Sequence, residues 1–305
     1  MRANKSISGW IILDKPYGMT STKASSMVRR LTGASKAGHA GTLDPLATGV
    51  LPIALDEATK TIPYVVADSK QYSFQVTWGE QRTTDDAQGA VIQTCNHRPI
   101  RESILAILPQ FTGIIQQRPP LFSALKIDGK RAYDLARSGE ASIVDALKEA
   151  ITLKTRPVTI HNIALESLDS KDQATFMVTC GPGTYVRSLA RDMAEVLGTV
   201  GYVSRLRRVM VGKFHQNDAI SLENLTEFGH KSKLHCLFLP LGAVLDDIPA
   251  VSVTMEEAVK INHGQRIPFA RAHPNASLVA LKLSDQLFAL AKTSDGYYYP
   301  KRVFK

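Results

Sequence analysis

Asp44 lies in the stretch Gly38-His39-Ala40-Gly41-Thr42-Leu43-Asp44-Pro45-Leu46-Ala47-Thr48-Gly49-Val50-Leu51-Pro52, the most unusual in the chain. Glycines let a backbone approach a ligand closely, and Asp-Pro fixes a tight turn. A carboxylate held this way is suited to act as a nucleophile or a base. The run also has a plainer explanation, since aspartate commonly opens turns and a lone histidine such as His39 is usually an ordinary one. The other chemistry-bearing residues are scattered. Cys95, Cys180 and Cys236 lie far apart with no CxxC, which argues against a disulfide framework or a zinc ribbon and fits a reducing, cytoplasmic setting. His230, His235 and Cys236 are the nearest approach to a ligand cluster, and no metal is expected there. Neither GxGxxG nor GxxxxGK[ST] occurs, so dinucleotide and P-loop readings have no support.

The elements that must position Asp44 are readable in outline. Trp10 to Asp14 is a short apolar run that predicts a buried strand, ended by Lys15-Pro16-Tyr17-Gly18. Thr20 or Ser21 caps a helix running to about Leu31, with Ala24, Met27, Val28 and Leu31 on one face and Gly33 just past its end. Ala34 to Gly49 reads as a loop. Tyr72 to Trp78 alternates as a strand, Gly79 to Gly89 is polar, and Ala90 to Thr94 returns as a strand. Helices are predicted at Ser103 to Leu108, Lys130 to Ser138, Tyr185 to Leu197 and Leu222 to Phe228, and strands at Val158 to Leu168 and Ala174 to Cys180. The Pro-punctuated stretch Leu239 to Pro249 reads as a domain junction. Beyond it, short strand-like runs split by Gly264, Pro268, Pro274 and Gly296 suit a small β module.

The 305 residues correspond to about two domains. With 44% hydrophobic and 21% charged residues, the chain buries a sizeable core and is not a disordered one. Strands mixed with helices, without a regular βαβα alternation, point to an α+β domain followed by the β module. No segment approaches the roughly 18 apolar residues of a membrane helix, and the N-terminal apolar run is too short for a signal peptide. Lys and Arg total 37 against 28 Asp and Glu, a net charge of +9. Basic clusters lie at residues 1–40, 201–215 and 251–305. Each by itself is an ordinary solvated face; together they suit a surface that tracks phosphates.

The Asp44 stretch resembles, over its full length, the GHxGTLDPxATGVL motif of the bacterial tRNA pseudouridine-55 synthases, the TruB family of pseudouridine synthases. Further similarities follow in order: Leu13 to Ser21 to LDKPxGxTS, Lys70-Gln71-Tyr72 to KxY, and Ser123-Ala124-Leu125-Lys126 with Gly129 to Tyr133 to SALKxxGKRAY. Gly183 to Leu189 is similar to GTYIRSL, and Leu206-Arg207-Arg208 to LRR. Together they span about residues 10 to 213. The loop after the Tyr72 strand departs from the common TDTxD, reading Arg82-Thr83-Thr84-Asp85-Asp86.

The resemblance implies a fold and a set of roles. The fold is a pseudouridine synthase catalytic domain over residues 1–245, with a mixed, mainly antiparallel sheet, flanking helices and an RNA-contacting loop at about 117–150. A β-barrel-like PUA module follows at 250–305. Asp44 is the essential acid, Tyr72 stacks on the target base, Arg187 pairs with Asp44, and Leu206 and Tyr185 line the pocket. His39 fills the gap left by the extruded nucleotide, and Lys126 contacts the RNA backbone. The implied reaction is an isomerisation (intramolecular transfer) of a uridine in the tRNA T stem-loop at position 55: N1–C1′ breaks, the uracil turns, and C5 bonds to C1′. There is no redox change and no added atom, so no cofactor is called for, nor an obligate protein partner. Flipping the nucleotide requires a few kcal/mol, partly recovered by aromatic stacking. The ionised acid acts by attack at C1′, addition to the ring or deprotonation at C2′, and a nearby guanidinium favours its charged form. Two other readings are distinct in kind. A non-catalytic RNA-binding or tRNA-folding protein would need the basic surface but not the Asp44–Tyr72–Arg187 set. A nucleoside or glycoside hydrolase would usually want a second carboxylate.

Overall fold

The computed structural model describes residues 8–120, 126–127, 130–131, 155–230, 237–269 and 276–304. Strand β1 (Gly9–Lys15) is buried on both faces, as its unbroken Trp10-Ile11-Ile12-Leu13 run requires. Helix α1 (Ser21–Thr32) is capped by Thr20, whose hydroxyl accepts from the Lys23 N–H at 3.1 Å, and ends at Gly33 in the left-handed region. The loop expected from Ala34 to Gly49 is not continuous. It contains β2 (Ala37–His39), and β3 (Thr48–Leu55) begins inside it. Pro52 disguises β3 in the sequence, yet Pro52 pairs with Ile12, and its carbonyl accepts from the Ala40 N–H at 2.9 Å.

The chain continues through α2 (Ile62–Val66), β4 (Lys70–Trp78), β5 (Glu80–Arg82), β6 (Val91–Thr94), α3 (Arg101–Ile107) and β7 (Gly113–Gln117). Of the segment expected to contact RNA at about 117–150, Gln117 to Pro120 and the two-residue strands β8 (Lys126–Ile127) and β9 (Lys130–Arg131) are described. Lys130 and Arg131 are therefore strand where a helix was predicted, and the rest of that helix lies outside the described residues. Then come β10 (Arg156–Ser170), β11 (Gln173–Cys180), α4 (Val186–Val196), β12 (Gly201–Val211), β13 (Phe214–His215), β14 (Ile220–Ser221), α5 (Leu222–His230) and β15 (Leu239–Pro240).

Eleven of these strands form one sheet in the order β14-β1-β3-β12-β4-β11-β10-β7, with β2, β13 and β15 attached to β3, β12 and β1, while β5 pairs with β6 and β8 with β9. The β1–β14 and β3–β12 pairs are parallel and the rest antiparallel, so the sheet is mixed and mainly antiparallel. Helices α1 and α4 share one core with one face of the sheet, where Ala24, Val28, Leu189 and Met193 join Phe74, Val76 and Phe176. The site develops between these two helices, on the face they flank. Phe176 stacks on Phe74 at 5.4 Å between centroids and meets the edge of Trp78 at 6.3 Å.

The stretch read as a junction, Leu239 to Pro249, begins inside the large sheet. Pro240 pairs with Gly9 and Leu239 with Trp10, which makes these residues part of the large sheet. The second sheet comprises β16 (Ala250–Ser252), β17 (Ile267–Pro268), β18 (Leu278–Leu283), β19 (Gln286–Ser294) and β20 (Tyr297–Val303), ordered β16-β18-β19-β20-β17. Helix α6 (Met255–Asn262), absent from the sequence reading, packs in its core through Ala258 and Ile261. Its start was marked by Thr254 and Glu257, which form a capping box. The two sheets meet where Leu290 and Phe304 pack with Leu241, Val244 and Leu245, and Lys60 donates to the Val303 carbonyl at 2.9 Å. No helix among the described residues is long and apolar enough to cross a membrane.

Phe176 is fully buried at the centre of the aromatic stack. Phe176→Ala is expected to lower unfolding stability by about 3–5 kcal/mol. A urea midpoint unchanged within error would show that this cluster does not hold the sheet.

Candidate active site

Asp44 lies on the bend between β2 and β3, and its neighbours are tied from both sides. The Leu43 N–H donates to the Ser21 hydroxyl at 2.8 Å, and that hydroxyl donates to the Leu43 carbonyl at 3.0 Å. On the other side the Gly18 N–H donates to the Pro45 carbonyl at 2.8 Å. Lys15 stiffens this N-terminal turn by donating to the carbonyls of Pro16 (2.8 Å) and Met19 (2.7 Å). Beneath the bend runs β12. Arg208, almost wholly buried, donates to the carbonyls of Val50 (2.8 Å) and Gly41 (3.0 Å). A Cβ at Gly49 would lie 2.2 Å from the Arg208 carbonyl oxygen, and Gly49 has φ of 100°, so only glycine fits there.

Arg187 arrives from the first turn of α4. Gln117 places that turn: its Oε1 accepts from the Tyr185 N–H at 2.8 Å and its Nε2 donates to the Tyr185 carbonyl at 3.0 Å. The guanidinium meets Asp44 edge-on, Nε to Oδ2 at 2.8 Å and Nη2 to Oδ1 at 3.2 Å. It also donates to the Thr84 carbonyl at 2.8 Å and lies 3.9 Å from Asp86. The Arg187 side chain is 5% exposed and that of Asp44 35% exposed. The base is thus sealed in protein, while the acid keeps an open side toward the cleft.

The polar loop after β5 holds this arrangement. Asp85, with φ of 56°, turns its buried carboxylate to Arg191 at 2.9 Å. Burial pushes the Asp85 carboxyl above its ordinary range, opposed by Arg191 and Arg187. Asp86 accepts from the Thr84 hydroxyl at 2.5 Å and the Gln88 N–H at 3.0 Å. The variant loop Arg82 to Asp86 is therefore the support of the buried arginines on α4.

The resulting cleft, of about 530 Å³, is lined by Asp44, Tyr72, Tyr185, Arg187 and Leu206, which the fold brings together from four separate segments. Tyr72 on β4 faces Arg208 on β12, and burial pushes its phenol above the ordinary value, with Arg208 opposing. Leu206 is nearly buried opposite Phe74. Cys180 pairs with Lys70 in the sheet behind the cleft, and burial raises its thiol to about 11, which makes it a poor nucleophile. Among the described residues Asp44 is the one acid on the cleft wall, against Lys70, Arg156, Arg187 and Arg208.

The structure does not bring His39 to this wall. It lines a smaller depression with Thr22, Ser25, Ser26 and Arg29, where burial and Arg208 lower its pKa. Lys126 lies in β8, and its side chain is outside the described residues. The described residues hold no group of three or more His, Cys, Asp or Glu able to ligate a metal. His235 and Cys236 fall outside them. Ser21, Thr84, Asp86, Gln117 and Arg156 went unassigned in the sequence reading. The paired Asp85-Asp86 was a visible signal; Gln117 offered none.

A chain of the crystal structure of a Cbf5-Nop10-Gar1 complex shares this fold with a TM-score of 0.72 and 25% identity, over 97% of this chain and 85% of that one. The likeness places the architecture in a class already seen in three dimensions. Sequence similarity narrows the class. Residues 29–186 match the TruB family pseudouridylate synthase N-terminal domain, and residues 187–246 match the tRNA pseudouridylate synthase B C-terminal domain. The tRNA pseudouridine synthase B of Bradyrhizobium diazoefficiens is 48% identical over 99% of this chain and 87% of its own length. That of Caulobacter vibrioides is 44% identical over 98% and 96%. The chain belongs to the TruB family of pseudouridylate synthases.

Two expectations follow from the clamp on Asp44. Ser21→Ala leaves the buried Leu43 N–H without its acceptor, which destabilises by about 1–3 kcal/mol. It should lower kcat more than it raises KM, and equal kcat in the variant would remove Ser21 from the positioning of Asp44. Lys15 carries the second. Burial lowers its pKa from 10.5 to about 8, with Asp44 opposing and Arg208 adding to the shift. Between those pH values the unfolded chain holds the extra proton, so raising the pH favours the folded state. Relative to Lys15→Met, the wild type should gain up to about 3 kcal/mol from pH 8 to 10.5 in urea unfolding. Parallel pH curves would contradict the lowered value.

Proposed function

We infer that this chain isomerises a uridine of tRNA to pseudouridine, with the T-arm uridine at position 55 as its target. Pseudouridylation of tRNA rests on family membership and on full-length similarity to relatives named tRNA pseudouridine synthase B. The observation that supports the chemistry is the Asp44–Arg187 pair, whose base is buried while the acid opens into the cleft. A nucleotide turned out of its RNA loop fits a cleft of this size, with its ring against Tyr72 and Leu206 and its sugar toward Asp44. In this reading Asp44 drives separation of N1 from C1′. The uracil turns, C5 bonds to C1′, C5 gives up its proton and N1 gains one, so composition is unchanged. Tyr72, Tyr185 and Leu206 exclude water, which would otherwise capture a detached sugar carbon. A purely RNA-binding role has no use for an acid poised beside a buried arginine.

RNA binding has a second candidate surface, in a PUA-like module formed by residues 250–305. Arg266 lies 4.2 Å over the Tyr297 ring and donates to the Tyr299 hydroxyl at 2.9 Å, and Lys292 and Lys301 line the adjoining groove. Stacked arginine and tyrosine among bases suit single-stranded RNA. A tRNA substrate also suits a cytoplasmic enzyme.

Asp44→Asn tests the reading. The variant should bind unmodified tRNA within about threefold of wild type and form no pseudouridine. Turnover near the wild-type rate would exclude Asp44 from the chemistry, and release of free uracil by the wild type would mark a hydrolase.

A further inference from the structure

Among the described residues four bases line the cleft, and three of them are committed to protein partners. Arg187 is held by Asp44, Asp86 and Thr84, Arg208 by two carbonyls, and Lys70 by the carbonyls of Val66 (2.6 Å) and Asp68. Arg156, at the start of β10, differs. Its guanidinium lies 4.7 Å over the Tyr185 ring, and Nη2 donates to the Gly183 carbonyl at 2.6 Å. Among the described residues no carboxylate pairs with it, and its buried Nε–H has no acceptor. A guanidinium with one flat face on a tyrosine keeps its remaining donors in its own plane, the geometry that accepts an anion's oxygens side by side. The Gly183 carbonyl and the Tyr185 ring fix that plane at the cleft wall, on the segment that leads into Arg187.

RNA brings one kind of anion to such a place. A nucleotide turned into the cleft rotates about its backbone, so the phosphates on either side of it are drawn to the wall. On the reading of the cleft given above, we propose that Arg156 is a phosphate site: it binds a phosphodiester adjoining the everted uridine and so holds the flipped nucleotide while Asp44 acts. Arg156 is then a substrate-binding residue that couples base flipping to the wall carrying Tyr185 and Arg187.

The test uses T-arm RNA hairpins carrying a single neutral methylphosphonate either 5′ or 3′ of the target uridine, with wild type, Arg156→Gln and Arg156→Lys. One of the two neutral linkages should weaken wild-type binding about tenfold. Arg156→Gln should weaken binding of unmodified hairpin by a similar factor and be indifferent to that linkage. Its salt dependence should also fall, by roughly 0.7–0.9 in the slope of log K against log[salt]. Arg156→Lys, which keeps the charge but loses the fork, should retain that slope. If Arg156 only props Tyr185 and Gly183, Lys and Gln variants weaken alike, the salt slope stays at the wild-type value, and both variants still feel the neutral linkage; that result overturns the proposal. Should neither variant fold, the wild type alone decides, since indifference to both neutral linkages overturns it too. Pseudouridine formed by the wild type on unmodified hairpin confirms the underlying reading separately. If the wild type neither bound nor converted the hairpin, that reading would fail and the phosphate site with it.

Discussion

The contact between Arg187 and Asp44 is unequal, and the inequality shapes the site. A guanidinium sealed in protein is destabilising unless acids and carbonyls surround it. Here the Thr84 carbonyl and Asp86 complete the shell that Asp44 begins. Because Arg187 is satisfied from behind, Asp44 need not be buried to pair with it. One side of the carboxylate stays open for a substrate, which is what a reacting acid requires. The same logic explains Asp85 and Arg191, a second buried pair one turn further along α4 that anchors the loop carrying Thr84 and Asp86.

Precision at Asp44 comes from backbone rather than from its own side chain. Ser21 grips Leu43 by both its N–H and its carbonyl, Gly18 grips Pro45, and Arg208 ties the carbonyls of Gly41 and Val50 to β12. Two segments distant from each other in sequence, the turn from Gly18 to Ser21 and β12, thus converge on one bend. This is the density of support that holds a reacting group within a fraction of an ångström of its working position. Lys15 adds a buried positive charge beneath the same bend, at a cost in stability that its lowered pKa records.

Electrostatics extend the arrangement outward. The cleft wall carries four bases against a single acid among the described residues, and the second sheet presents Arg266, Lys292 and Lys301 beside two tyrosines. Bases whose donors are already taken by carbonyls set a positive field without gripping RNA directly. Arg156, stacked on Tyr185 and with no carboxylate partner among the described residues, is left to make a specific contact.

The sequence by itself determined the local parts. Trp10-Ile11-Ile12-Leu13 had to be a buried strand, Thr20 and Gly33 bounded α1, and Tyr72 to Trp78 alternated as half-buried sheet, because period, capping and turn chemistry act over a few residues. The motif around Asp44, with Tyr72, Tyr185, Arg187 and Leu206, was legible as a set through its resemblance to a family, and the structure gathers those five on one cleft. His39, expected to meet the RNA rather than the pocket, lines a separate depression. Strand β3 was hidden by Pro52 and by glycines whose use is clear only beside Arg208. Helix α6 was missed although its capping box was in plain view, being too short to show a convincing period. Tertiary structure alone decided that Leu239 and Pro240 close the first sheet, that Gln117 sets the start of α4, and that Asp86 backs Arg187. Each of these is a hydrogen bond or ion pair between residues tens to hundreds of positions apart, and no local pattern encodes a partner that only the folded chain brings near.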